Sequence, residues 1–208
     1  MEMSEAARLA SSLRAVVGNE RVLTALAQVP RERFVLPDDA SRAYENVALP
    51  IGCGQTISQP VVVARMLDLL ELDPADRVLD VGTGSGYHAA VLSHLCAHVW
   101  TVERHAELAQ AAASTLADLG RDNVTCVCGD GWLGLAEQAP FDAINVAAAA
   151  DAVVPPELEA QLAPAGRLVA PIGWPRQHLI RVRRTAAGLE RERLDPVRFV
   201  PLVPGAAP

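Results

Sequence analysis

The chain has 208 residues, of which half are apolar, 21% charged and 4% aromatic, and its formal charge is −7. That length suits one domain, and the apolar share excludes disorder and a fibrous repeat. The acidic balance argues against a nucleic-acid partner, since such binders usually carry a basic face. No apolar run nears the ~20 residues that cross a bilayer. Glu2 and Glu5 open the chain without the basic-then-apolar pattern of a signal peptide. Cys53, Cys96, Cys126 and Cys128 offer no paired zinc spacing and read as structural core thiols in a reducing compartment. The expectation is a cytosolic monomer with no metal and no membrane partner.

In chain order, Leu9, Leu13, Val16 and Val17, then Leu23, Leu26 and Ala27, recur at helical spacing, predicting helices over roughly 5–17 and 20–28. Pro30 and Pro37 bracket a loop containing Phe34, and Tyr44 to Gln59 shows no clear period. Pro60 suits the first turn of a helix running to about Leu70. Strands are then expected at Val78–Val81, Val99–Val102, Val124–Cys128, Ile144–Val146 and Leu168–Ile172. Helices near 86–96, 105–119 and 156–162 alternate with them. That order implies a doubly wound, mostly parallel α/β sheet. Leu179–Val182 and Val197–Leu202 bring the count to seven strands and read as an antiparallel edge. Residues 1–208 form one unit on this reading, with 1–75 as a helical N-terminal part carrying the active-site loop and 76–208 as the cofactor-binding sheet. Arg181, Arg183, Arg184, Arg191 and Arg193 read as a solvated strand face.

The strongest local signal is Val78-Leu79-Asp80-Val81-Gly82-Thr83-Gly84-Ser85-Gly86, an apolar strand followed by a glycine-rich turn into a helix. Glu103 ends the next strand, where a carboxylate can accept hydrogen bonds from both hydroxyls of a ribose. Dinucleotide sites favour G-x-G-x-x-G and a pyrophosphate over the helix start. Here the spacing is G-x-G-x-G, and Asp80 would repel a pyrophosphate but suit an ammonium and a sulfonium. S-adenosylmethionine is therefore favoured over NAD. Asp130, in Gly129-Asp130-Gly131, stands where such a sheet meets an adenine edge, although Gly-Asp-Gly is also ordinary turn chemistry. His88, His94, His98, His105 and His178 lie away from metal-ligand spacing and read as surface or packing residues.

Leu49-Pro50-Ile51-Gly52-Cys53-Gly54-Gln55-Thr56-Ile57-Ser58-Gln59-Pro60 resembles the signature of protein-L-isoaspartate O-methyltransferases. The similarity extends to Val29–Phe34, the glycine turn, Gly129–Gly131, Ala139–Ile144 and Val197–Leu202, and so spans nearly the whole chain. The resemblance implies a Rossmann-like methyltransferase that esterifies the free α-carboxylate of L-isoaspartyl residues in damaged proteins and peptides, leading to a succinimide and repair. It assigns Gln55, Thr56, Ile57, Ser58, Asp80, Gly82, Gly84, Gly86, Glu103, Asp130 and Gly131 to the cofactor. It assigns Thr56, Ser58, Val200, Pro201 and Leu202 to the substrate, with Ser58 in the active-site serine position. Cys53, His88 (commonly Gln), Asn145, Ala147, Asp151 and Trp174 depart from the family pattern and are expected near the substrate cleft.

The chemistry agrees. A carboxylate of pKa ~4 is ionised at neutral pH, so methyl transfer to it needs no general base. The protein's task is placement. Ser58 would then donate a hydrogen bond that orients the carboxylate; its plainer role would be to cap the helix at Pro60. Two other functions fit the same motifs. One is a dedicated aspartyl O-methyltransferase driving aspartimide formation in a peptide natural product. The other is a regulatory protein that binds S-adenosylmethionine without turnover.

Overall fold

The computed structural model describes residues 3–205, so Glu2 lies outside the described residues. Helix α1 (Glu5–Ser12) starts at Ser4, whose side chain accepts from the Ala7 amide. It stops short of the expected residue 17, in a 3₁₀ turn at Leu13–Ala15. The Ser12 hydroxyl donates to the Leu9 carbonyl, and such back-bonding competes with helix continuation. Helix α2 (Glu20–Gln28) is capped by Asn19 and matches expectation. Two 3₁₀ turns follow, Arg31–Phe34 and Pro37–Arg42. The stretch without periodicity holds a small antiparallel hairpin, β1 (Leu49–Gly52) and β2 (Gln55–Ile57), before α3 (Pro60–Leu69).

The rest alternates as expected: β3 (Arg77–Val81), α4 (Tyr87–Leu92), β4 (His98–Glu103), α5 (Ala106–Asp118), β5 (Val124–Cys128), β6 (Phe141–Val146), α6 (Pro156–Ala160) and β7 (Leu162–Ile172). β8 (Gln177–Thr185) and β9 (Gly188–Val197) complete a seven-stranded sheet ordered β5-β4-β3-β6-β7-β8-β9. The first five strands run parallel, and β8 and β9 pair antiparallel at the edge. Alternate strand residues serve opposite faces. Val78 and Val99 join a core with α1, α2 and α3, whereas Leu79, Val81 and Val102 join a second core against α6.

The last strand is not Val197–Leu202. Leu189-Glu190-Arg191-Glu192-Arg193 is too charged to read as a strand, yet it forms the exposed edge, where charge is what keeps a sheet from extending. Three of the five arginines on β8 and β9 are ion-paired. Arg181 pairs with Glu192 at 2.6 Å and Glu71 at 3.0 Å, and Arg191 pairs with Glu159 at 2.7 Å. After β9 the chain leaves the sheet and crosses to the end of β6. There the Ala149 amide donates to the Val200 carbonyl at 2.8 Å, and the Leu202 amide to the Ala149 carbonyl at 2.7 Å.

Of the cysteines only Cys96 is a core thiol. Cys126 is half-buried, and Cys53 and Cys128 are exposed, because Cys53 sits at the hairpin tip and Cys128 at the end of β5. No helix among the described residues is long and apolar enough to cross a membrane.

Candidate functional site

Helical connections lead outward in opposite directions from β3 and β6, so the chain leaves a crevice beyond their carboxyl ends. A pocket of about 120 Å³ opens there. Its floor is the glycine turn. Gly82 has φ +90°, and the Gly82 and Thr83 amides donate to the Val102 carbonyl at 2.9 and 3.2 Å. The Gly84 amide donates to Glu103 Oε2 at 2.9 Å, and the His105 amide to Glu103 Oε1 at 3.0 Å. Glu103, only 5% exposed, is therefore clamped between two backbone amides with its remaining lone pairs facing the pocket.

Gln55, Thr56, Gly82, Gly84, Glu103, Gly131, Val200, Pro201 and Leu202 all line this pocket. Five separated segments of the chain thus meet there. Val200–Leu202 arrives there because it has left the sheet, which the strand assignment missed. Arg104, His105 and Ala148 also line it and were not anticipated, and Ala147, expected near the substrate cleft, lines it too. The alanines follow directly after a parallel strand at the point where the connections reverse, and that was the signal available for them.

Five residues assigned to the cofactor do not line this pocket: Ile57 and Ser58 line a second cleft described below, and Gly86, Asp80 and Asp130 lie elsewhere. Gly86 caps α4 at φ +91°, and a Cβ there would sit 3.2 Å from Ala112 Cβ. It is glycine so that α5 can pack closely, and it does not reach the pocket. Asp80 is fully buried beneath the turn. It is in register with Thr101 on β4 and Asn145 on β6, and accepts from Thr101 Oγ1 at 2.8 Å and Asn145 Nδ2 at 2.7 Å. Burial outweighs both bonds and pushes its pKa up to about 6. Asp130 Oδ1 accepts from the Trp132 amide at 2.9 Å, the local turn, and Oδ2 accepts from the Gly205 amide at 2.7 Å. Its neighbour Gly131 takes the pocket position; a Cβ there would fall 2.6 Å from Val81 Cγ1.

A second, smaller cleft lies on the other side of the turn, lined by Thr56, Ile57, Ser58, Tyr87 and His88 among others. The two clefts share Thr56, Gly82, Gly84 and Ala147 as common walls. Ser58 does not cap α3. The N-cap is Gln59, without a side-chain bond, and the Val61 amide donates instead to Asn46 Oδ1 at 3.0 Å. The Ser58 carbonyl accepts from Arg31 Nη2 at 2.7 Å. Among the family departures, His88 and Ala147 line a cleft and Asn145 supports Asp80. Cys53, Asp151 and Trp174 are exposed and line neither.

The family described as Protein-L-isoaspartate(D-aspartate) O-methyltransferase (PCMT) matches residues 5–207. A Roseiflexus castenholzii protein-L-isoaspartate O-methyltransferase is 54% identical over 196 residues, 94% of this chain and 89% of its own. The Koribacter versatilis protein of the same name is 53% identical over 188 residues, 90% of this chain and 84% of its own. A Plasmodium falciparum protein described as a β-aspartate methyltransferase of this kind, solved in complex with S-adenosyl-L-homocysteine, superposes with a TM-score of 0.83. It is 26% identical and is matched over 95% of this chain and 98% of its own.

Proposed function

The chain belongs to the protein-L-isoaspartate(D-aspartate) O-methyltransferase family, and from that premise we propose how its own residues carry out S-adenosylmethionine-dependent methylation of the free α-carboxylate of L-isoaspartyl residues in damaged proteins and peptides. The donor set of the larger pocket fits the cofactor. Glu103, oriented by two amides, accepts from the ribose hydroxyls, and Gly82, Gly84 and Gly131 let the backbone approach closely. Gln55, Thr56 and the Val200–Leu202 crossing segment close the other side. Asp80 acts at one remove, by holding the β3 end through Thr101 and Asn145. S-adenosylmethionine, when bound, supplies a methyl group activated by its sulfonium.

The single observation that carries the reading is the wall shared by the two clefts. A carboxylate in the Ser58 cleft lies beside the methyl-donor pocket and is already a nucleophile at neutral pH. Ser58 donates a hydrogen bond that orients it, and Thr56, which lines both clefts, flanks the line between them. The backbone amide nitrogen of the following residue then attacks the methyl ester, losing its proton and expelling methanol, to close a succinimide whose hydrolysis returns some aspartate. Residues 1–208 are read as one unit, supported by the core shared between α1–α3 and the sheet.

The test uses S-adenosylmethionine and a matched pair of peptides, one isoaspartyl and one aspartyl. Methyl transfer to the isoaspartyl peptide alone is expected; equal transfer to both would replace repair with peptide tailoring. Binding of S-adenosylhomocysteine with no transfer to either would indicate a regulatory role. We further read the protein as a cytosolic monomer acting on isoaspartyl proteins and peptides, with no nucleic-acid partner. The unpaired thiols, the net charge of −7 and the ion-paired edge arginines support this. Sedimentation analysis checks the monomer.

A further inference from the structure

Arg31 is among the largest side chains in the protein with no solvent exposure. It opens the 3₁₀ turn after Pro30, and its guanidinium reaches inward. Nε donates to the Ala43 carbonyl at 2.8 Å, Nη2 donates to the Ser58 carbonyl at 2.7 Å, and the group lies 4.7 Å over the Tyr87 ring. Nη1 is buried with no acceptor. Among the described residues no carboxylate pairs with Arg31. The adjacent Glu32 is taken by the Tyr44 hydroxyl.

A desolvated cation without a counter-charge is costly, and buried charges are normally paired. Two backbone carbonyls do not require one, since a neutral donor would serve them. Two of the residues Arg31 touches, Ser58 and Tyr87, line the smaller cleft. Tyr87 Oη and His88 Nε2, on residues that line the same cleft, are also buried and unpartnered. The polar groups around this cleft are thus left incomplete in a way that an anion would complete.

We propose that Arg31 is a positioning residue for the substrate: an unneutralised cation behind the wall of the Ser58 cleft, which draws the α-carboxylate in and, through its bond to the Ser58 carbonyl, holds the serine against it. The inference rests on the isoaspartyl reading above. It adds the source of the preference for a charged acceptor over a neutral one.

The experiment measures, by calorimetry with S-adenosylhomocysteine present, the affinities of two isoaspartyl peptides that differ only in an α-carboxylate or an α-carboxamide. The wild type is expected to prefer the carboxylate. Arg31→Met should reduce that preference roughly 10- to 50-fold, the Coulomb contribution of one charge about 7–12 Å away at an effective dielectric of about 20, while carboxamide affinity stays nearly constant. Arg31→Lys should restore part of it. Unchanged affinity for S-adenosylhomocysteine identifies a folded variant. Ser58→Ala retains the cation and should keep a residual preference of about tenfold by the same reasoning. A wild type indifferent to the charge, a folded Arg31→Met with the full preference, or a Ser58→Ala with none would each overturn the proposal. A wild type that binds and discriminates these peptides but methylates no isoaspartyl peptide would overturn the catalytic reading alone.

Discussion

Ser58 tests whether a hydroxyl in the smaller cleft works on the substrate or on the helix. The first turn of α3 takes its side-chain bond from Asn46, so Ser58→Ala removes no cap. Its denaturant midpoint should match the wild type. If the hydroxyl orients the carboxylate, kcat/KM for an isoaspartyl peptide should fall roughly 10- to 150-fold, the equivalent of one charge-assisted hydrogen bond. Full activity would shift that role to Thr56 or to backbone amides of the loop. Glu103 makes a different case, because its carboxylate does two jobs. Glu103→Ala leaves the Gly84 and His105 amides without their acceptor as well as removing the proposed ribose contact. Affinity for S-adenosylhomocysteine should drop by about 1.5–3 kcal/mol, with a loss of stability alongside. Calorimetry and a melt on one preparation separate the two; unchanged affinity would displace the ribose from Glu103.

At the scale of elements, what was legible depended on whether the signal was local. β3, its glycine turn and the acid ending β4 could be read because each is a short run with its own chemistry. The β1–β2 hairpin could not, since its strands are four and three residues long and its turn holds three residues at positive φ. β9 was hidden by the charges that suit an edge, and this displaced Val200–Leu202 from strand to pocket wall. The Asp80–Thr101–Asn145 group arises from cross-strand register, and the Asn46 cap from a contact 15 residues away, so neither has a local motif. One inter-element contact is open to direct test. The loop after β5 lies against β3 so closely that a Cβ at residue 131 would meet Val81 Cγ1 at 2.6 Å. Gly131→Ala should cost about 1–3 kcal/mol by overpacking and weaken S-adenosylhomocysteine binding as the loop is pushed outward. Val81→Ala removes the clashing methyl, so the double variant should be more stable than the sum of the two single losses. Strict additivity in urea unfolding would mean that the loop relaxes without touching β3.

For the molecule as a whole, two buried groups beneath and beside the site make opposing demands on pH. Burial raises Asp80 from 3.8 to about 6 and lowers His88 from 6.5 to about 4, the nearby Arg31 charge adding to the second shift. Between pH 4 and 6 the native state therefore holds more of the Asp80 proton than the unfolded chain does. The Asp80 contribution to stability is greatest below the unfolded pKa and is lost as pH rises through about 6. His88 behaves in reverse. The unfolded chain takes up its proton first, so its contribution is present above pH 6.5 and is lost as pH falls through about 4. Each shift corresponds to about 3 kcal/mol, and over the shared window they nearly cancel. Replacing one group should uncover the other. His88→Gln should lose stability relative to the wild type as pH rises from about 4 to about 6, by on the order of 3 kcal/mol. Asp80→Asn, which keeps a hydrogen-bonding amide on β3, should gain relative stability over the same interval. Urea midpoints at three pH values and constant ionic strength give the differences, and subtracting the wild type removes the background of surface carboxylates common to all three proteins. Curves that run parallel to the wild type would show that neither group is held in the protonation state its burial implies. Curves that diverge with the same sign would show that the two are not opposed.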